Sequence, residues 1–156
     1  MNVIDSCGWL EYIADGPNAS FFEPALLDLP NLIVPAITLY EVCKRVLIQS
    51  GQTFADRAVK AMNRGQIVHL DSDNLRLAAI ASVRYKLAMS DAIIWQTAQL
   101  HQAQLFTQDA GLKDVPGVRY RAKVAVCAKS THCIPSVRVI RLFRLGFGLS
   151  TGSERQ

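Results

Sequence analysis

Apolar residues along this chain follow two rhythms. Short unbroken runs, Val3-Ile4, Leu32-Ile33-Val34 and Leu105-Phe106, are separated by longer stretches in which apolar residues recur every three or four positions. Strands buried on both faces give the first rhythm and amphipathic helices the second. The spacing predicts a strand over residues 2–5, then a helix over 6–14 with Trp9, Leu10 and Ile13 on one face, closed by Gly16-Pro17-Asn18. A further helix is predicted around 21–29, where Pro24 argues for a short element or a first-turn position. A strand at 32–34 follows, then helices over 36–50 and 53–63 separated by Gly51, and a strand over 66–70 that His69 helps to close. Asp71 and Ser72 supply caps for a helix reaching about residue 87, and Ser90 for another over 91–103. Strands at 105–107 and 118–120 complete the pattern. Strands joined through helices of this length predict an α/β fold of three layers, with helices on both faces of a mainly parallel central sheet of four to five strands.

Composition narrows the class. Half of the 156 residues are apolar and 19% are charged, which excludes a disordered chain. No apolar run approaches the ~18 residues of a membrane-spanning helix, and residues 1–20 carry Asp5, Glu11 and Asp15 in place of a basic secretory start. The four cysteines do not form a disulfide pattern, and Cys7 and Cys43 sit in apolar periodic segments, so a reducing cytoplasm is expected. Charge divides the chain in two: residues 1–120 hold ten Lys or Arg against twelve Asp or Glu, and 121–156 hold seven against one. This predicts a compact body over 1–120 and a basic C-terminal extension over 121–156.

In a parallel sheet the side chains just beyond the strand ends gather at one edge, where ligands bind. Asp5 closes the first strand, Asp109 follows Thr107 at the end of a later one, and Asp91 opens its helix. Glu41 lies on the long helix after the second strand, opposite a face formed by Leu39, Val42, Cys43, Val46 and Leu47. Converged carboxylates repel, and an all-oxygen set suits Mg²⁺ or Mn²⁺ better than zinc. Each acid also has an ordinary structural role open to it: Glu41 paired with Arg45, Asp91 favoured by a helix dipole, Asp109 shaping a turn before Gly111. Asp5 is the hardest to explain in that way.

Four segments resemble the PIN domain family, and more narrowly its VapC-type toxin ribonucleases. They are Val3-Ile4-Asp5-Ser6 with Trp9-Leu10-Glu11-Tyr12, Val34-Pro35-Ala36-Ile37-Thr38 leading to Tyr40-Glu41-Val42, Met89-Ser90-Asp91-Ala92-Ile93-Ile94, and Leu105-Phe106-Thr107-Gln108-Asp109. No segment is specific alone, but the order of the four is, and Cys7 stands where relatives often carry a small hydroxyl residue. The resemblance implies one or two Mg²⁺ or Mn²⁺ ions held by Asp5, Asp91 and Asp109, with Glu41 completing the set or orienting water. Such ions polarise a phosphodiester and lower the pKa of a bound water. Ser6 and Thr107 are then candidates to hold metal-bound water. It also implies an RNA substrate, an inhibitory antitoxin partner and a homodimer. Lys44, Arg45, Arg84 and Lys86 are candidate phosphate contacts, against the ordinary reading of basic residues as solvated surface.

Two other readings compete. A PIN fold without activity would serve as a binding module, though loss of activity tends to remove acids and all four are present. Asp71-Ser72-Asp73 after a strand resembles the haloacid-dehalogenase phosphatases, but Asp71 and Ser72 serve as well as helix caps. His69 and His101 have no partner at ligand-like spacing, and Trp9, Tyr12 and Trp95 fall at core positions. In the extension, Cys127, His132 and Cys133 form an irregular zinc-like set. Arg138, Arg141 and Arg144 would form a basic stripe on a helix, suited to nucleic acid or an acidic membrane. An unselected extension explains the same change of composition.

Overall fold

A computed structural model describes residues 1–124 of the chain. Five strands, β1 (Asn2–Ile4), β2 (Leu32–Pro35), β3 (Gln66–Val68), β4 (Gln104–Thr107) and β5 (Val118–Tyr120), form one sheet in the order β3-β2-β1-β4-β5. Every pairing is parallel. Six helices connect them: α1 (Ser6–Ile13), α2 (Ala19–Leu27), α3 (Ala36–Ser50), α4 (Gln52–Met62), α5 (Ser72–Tyr85) and α6 (Met89–Leu100). The expected three-layer α/β architecture is the one the chain adopts. None of the described helices is long and apolar enough to cross a membrane.

Strand residues alternate between two cores, as the two-residue period requires. Ile4, Leu32, Val34 and Phe106 face one side and pack with Trp9, Tyr12, Phe22, Val42, Val46 and Met62. Val3, Ile33 and Leu105 face the other side and pack with Ala92, Ile94 and Ala98 of α6, against which α5 is laid. From β1 the chain builds outward to β3, then returns to the opposite side of β1 for β4. The reversal falls between β1 and β4, where an open α/β sheet has its crevice.

Several expectations need correction. Pro24 lies inside α2, not in its first turn. A proline there gives up a helical hydrogen bond, and the complete burial of Phe22 and Leu26 on either side of it holds the helix against that loss. Ser90 does not cap α6, which begins one residue earlier at Met89 after Ala88. Leu47 is exposed: the line of α3 that reaches the core is Thr38, Val42 and Val46, spaced at four residues, and Leu47 lies off it. β3 ends at Val68, so His69 is exposed beyond it. Trp95 is only half-buried, its Nε1 donating to the Pro116 carbonyl at 2.8 Å. The main chain just after β5 is bonded to the body. Arg121 N donates to the Thr107 carbonyl at 3.0 Å and Asn18 Nδ2 to the Ala122 carbonyl at 3.0 Å. The readings made on Cys127, His132 and Cys133, and on Arg138, Arg141 and Arg144, lie outside the described residues.

The crossing of α1 over α2 generates one prediction. A Cβ added to Gly8 would stand 2.6 Å from the Phe22 ring and 2.7 Å from Ile4, both fully buried. Replacing a helical Gly by Ala gains about 1 kcal/mol of propensity, but overpacking a core costs about 1–3 kcal/mol. Gly8→Ala is therefore expected to lower the melting temperature by several degrees. A variant as stable as the native chain would show that α2 gives way there.

Candidate active site

β1 runs into α1 through a single residue, Asp5, which is 2% exposed. Its extended backbone (φ −62°, ψ 158°) makes it the N-cap of α1, a structural duty the sequence reading had not given it. Its Oδ1 accepts from Ser6 N at 2.6 Å and Ser6 Oγ at 3.3 Å. Its Oδ2 accepts from Thr107 Oγ1 at 2.7 Å, across the β1–β4 boundary, and from Cys7 Sγ at 2.9 Å. Burial pushes the Cys7 thiol far up, and the Asp5 charge adds to this, so the sulfur keeps its proton and donates it. Ser6 and Thr107 both donate to the Asp5 carboxylate.

Asp109 is exposed two residues beyond β4. Its backbone N donates to Thr107 Oγ1 at 2.9 Å, and its Oδ1 accepts from Gly111 N at 2.7 Å. The Thr107 hydroxyl thus bridges the Asp5 carboxylate and the Asp109 main chain. Asp91 is the third residue of α6 and Glu41 the sixth of α3, and these two helices pack on each other.

Asp91 lies in the field of the other three acids. Asp91 is pushed from its ordinary value of 3.8 to about 6, first by burial and then by the charges of Asp5, Asp109 and Glu41. Among the described residues no basic side chain counters that rise at Asp91. An uncompensated all-oxygen set suits a hard dication. Thr38 Oγ1, fully buried on α3 one turn before Glu41, also has no hydrogen-bond partner. Yet among the described residues no group of three or more His, Cys, Asp or Glu stands ready to hold a metal. The carboxylates share a field without forming a closed cage. Both Asp5 oxygens and one of Asp109 are engaged in hydrogen bonds.

Of the candidate phosphate contacts, Lys44 and Arg45 border a cleft of about 350 Å³ that also includes Ser6 and Glu41. Arg84 stacks over Tyr85 at 5.2 Å, and Lys86 is the left-handed cap of α5 (φ 56°). Asp71 is an exposed cap whose Oδ1 accepts from Asn74 N and Asn74 Nδ2, both at 2.9 Å. The backbone bond from Asn74 is the main cause holding its carboxyl below the usual range. Sequence reasoning missed Cys7 and Gln108 as partners of the site. Gln108 Nε2 donates to Glu11 Oε2 at 3.1 Å and to the Cys7 carbonyl at 3.4 Å, and its Oε1 accepts from Asn18 Nδ2 at 3.1 Å. Their adjacency to Asp5 and Asp109 in the chain was the only available signal.

A family model described as PIN domain matches residues 3–118. No curated protein sequence matches the chain. Among solved structures, the chain is similar to a toxin–antitoxin complex from Klebsiella pneumoniae (TM-score 0.66, 23% identity, 76% of this chain and 96% of that one). It is similar also to VapC20 of Mycobacterium tuberculosis, described as a Sarcin-Ricin loop cleaving toxin (0.59, 16%, 70% and 91%). A third is VapBC2 of Rickettsia felis bound to a DNA fragment from their promoter (0.61, 13%, 78% and 97%). At these identities the likeness is one of fold.

The raised Asp91 value sets a pH dependence. Its folded-state pKa lies above its unfolded one, so its contribution to stability is complete below 3.8 and is lost as pH rises through about 6. Such a rise corresponds to roughly 3 kcal/mol unscreened, and solvent around the half-buried carboxyl reduces this to about 1 kcal/mol. In EDTA, Asp91→Asn is expected to gain about that much over the native chain between pH 4 and pH 7.5. Urea denaturation at the two pH values measures it, and a pH-independent difference would mean that the Asp91 carboxyl is not raised in the folded chain.

Proposed function

The chain belongs to the PIN domain family, and on that premise we propose that it is a metal-dependent endoribonuclease, the toxin of a VapBC-type toxin–antitoxin pair. The observation that carries the reading is the gathering of Asp5, Asp91, Asp109 and Glu41 at the sheet's crevice, where burial first and then the charges of the other three push the Asp91 carboxyl up. Carboxylates brought together at such a cost to folding answer to a charge that arrives with function.

Asp5, Asp91 and Asp109 would hold Mg²⁺ or Mn²⁺, with Glu41 completing the set. The ion, when bound, supplies Lewis-acid polarisation of a phosphodiester and a water acidic enough to act as nucleophile. The chain's own residues prepare for this. Ser6, Cys7 and Thr107 donate to Asp5 and fix its carboxylate in one orientation. Asp91 is pushed up to about 6, by burial first and then by the neighbouring carboxylates. The same value makes metal binding compete with protons below that pH. Lys44 and Arg45, exposed on α3, are placed to meet substrate phosphates beside Glu41.

The proposed protein partners are an antitoxin and a second copy of the chain. Exposed apolar side chains on α3 (Tyr40, Ile48) and on α5 (Ile80, Val83) support such contacts. The inactive-module reading has no lost acid to rest on. The phosphatase reading is not supported either, since Asp71 is engaged as a cap by Asn74.

Two measurements test the proposal. Purified protein is expected to cut mixed RNA with Mg²⁺ or Mn²⁺, to stop in EDTA, and to lose at least about a hundredfold in rate as Asp5→Asn. Cutting by the variant at the native rate would place the activity elsewhere. Independently of activity, Mn²⁺ at ten times its dissociation constant should stabilise the native chain by about 1.4 kcal/mol. Asp91→Asn should lose most of that gain, and an equal gain in both would remove Asp91 from the metal site.

A further inference from the structure

The chain leaving β4 is held residue by residue. Thr107 Oγ1 donates to Asp5 and accepts from Asp109 N. Gln108, buried, reaches back to α1: its Nε2 donates to Glu11 Oε2 at 3.1 Å and to the Cys7 carbonyl at 3.4 Å. The Gln108 main-chain N donates to Cys7 Sγ, also at 3.4 Å. The Asp109 carboxylate is tied within its own turn, to Gly111 N at 2.7 Å. Where that turn stands relative to Asp5 is therefore set by the two residues before it.

Behind Gln108 lies Asn18, buried at the N-cap position of α2. An Asn oxygen there ordinarily accepts from a first-turn N–H, but this side chain makes no capping bond. Its Nδ2 donates instead to Gln108 Oε1 at 3.1 Å and to the Ala122 carbonyl at 3.0 Å. A main-chain carbonyl can only accept, so the Asn18 nitrogen must face Ala122. Gln108 then turns its oxygen to Asn18 and its nitrogen to Glu11. Asn18 N closes the circuit by donating to Glu11 Oε1 at 2.9 Å. The segment that Asn18 grips bears on the same turn a second time, since Arg121 N donates to the Thr107 carbonyl at 3.0 Å. Beyond it, Lys123 lines a cleft of about 490 Å³ together with Cys7, Glu11 and Gln108.

We infer that Asn18 is a positioning residue for Asp109: it clamps the main chain after β5 onto Gln108 and so fixes the turn that carries the carboxylate. The main chain at Arg121 and Ala122, beyond the residues 3–118 that the PIN domain model matches, is on this account part of the site's frame. The inference rests on the nuclease reading for what Asp109 does, and on the hydrogen bonds alone for how it is held.

Two measurements on the full chain test it, with Asn18→Asp as the main variant. Asp serves an N-cap as well as Asn does but offers no N–H to Gln108 or Ala122, so a role limited to capping would leave it without effect. Amide hydrogen exchange in EDTA reads the turn directly. The Asp109 and Gly111 amides are expected to lose about tenfold in protection while those of β1 and β2 keep theirs. Asn18→Ser, which adds no buried charge, should show the same local loss. Mn²⁺ affinity, from the free-ion signal in electron paramagnetic resonance, is expected to fall about tenfold in Asn18→Asp. In an Asp109→Asn background the same substitution should cost less than about twofold, because a clamp acting through that carboxylate has nothing left to place. Unchanged protection at Asp109 and Gly111, unchanged Mn²⁺ affinity, or equal losses in both backgrounds would each overturn the assignment. If both amides lose protection but the native chain takes up no Mn²⁺, the clamp stands and the metal-dependent reading fails.

Discussion

The organisation of this protein turns on a buried carboxylate held at the point where the sheet changes direction. Removing a charged group from water is costly unless hydrogen bonds replace the lost hydration. At Asp5 the replacement comes from Ser6, Cys7 and Thr107, and one of these donors arrives from a strand about a hundred residues away. The single carboxylate therefore serves two ends. It caps α1 where β1 has no loop to spare, and it joins β1 to β4 at the crevice beyond the ladder of main-chain bonds.

The other acids stand around this fixed centre under tension. Asp91 and Glu41 come from helices that pack on each other, and Asp109 from the turn that Thr107 anchors. Burial first, and then the charges of the other three, push the Asp91 carboxyl up. A fold selected for stability alone would have placed an arginine among them or removed one.

The network behind the site has a different character. Glu11, Asn18 and Gln108 satisfy one another completely, and together they hold residues 121–124 against the body. Gly16 allows this arrangement, since a Cβ there would collide with the Glu11 carboxylate. A hydrogen-bonded network of this kind adds rigidity behind the site.

The sequence by itself determined the order of strands and helices, the burial of the sheet on both faces and the four acids around which the site is built. These are local properties, written in hydrophobic period and in the residues that follow each strand. The continuation of α2 through Pro24, the start of α6 before Ser90 and the exposure of Leu47 were decided by what each helix packs against. The donors to Asp5, the pairing of Gln108 with Glu11 and the attachment of Lys123 beside the cleft join residues far apart in the chain. Only the tertiary structure could settle these, because a periodic pattern reports which face of an element is buried and never which distant side chain meets it there.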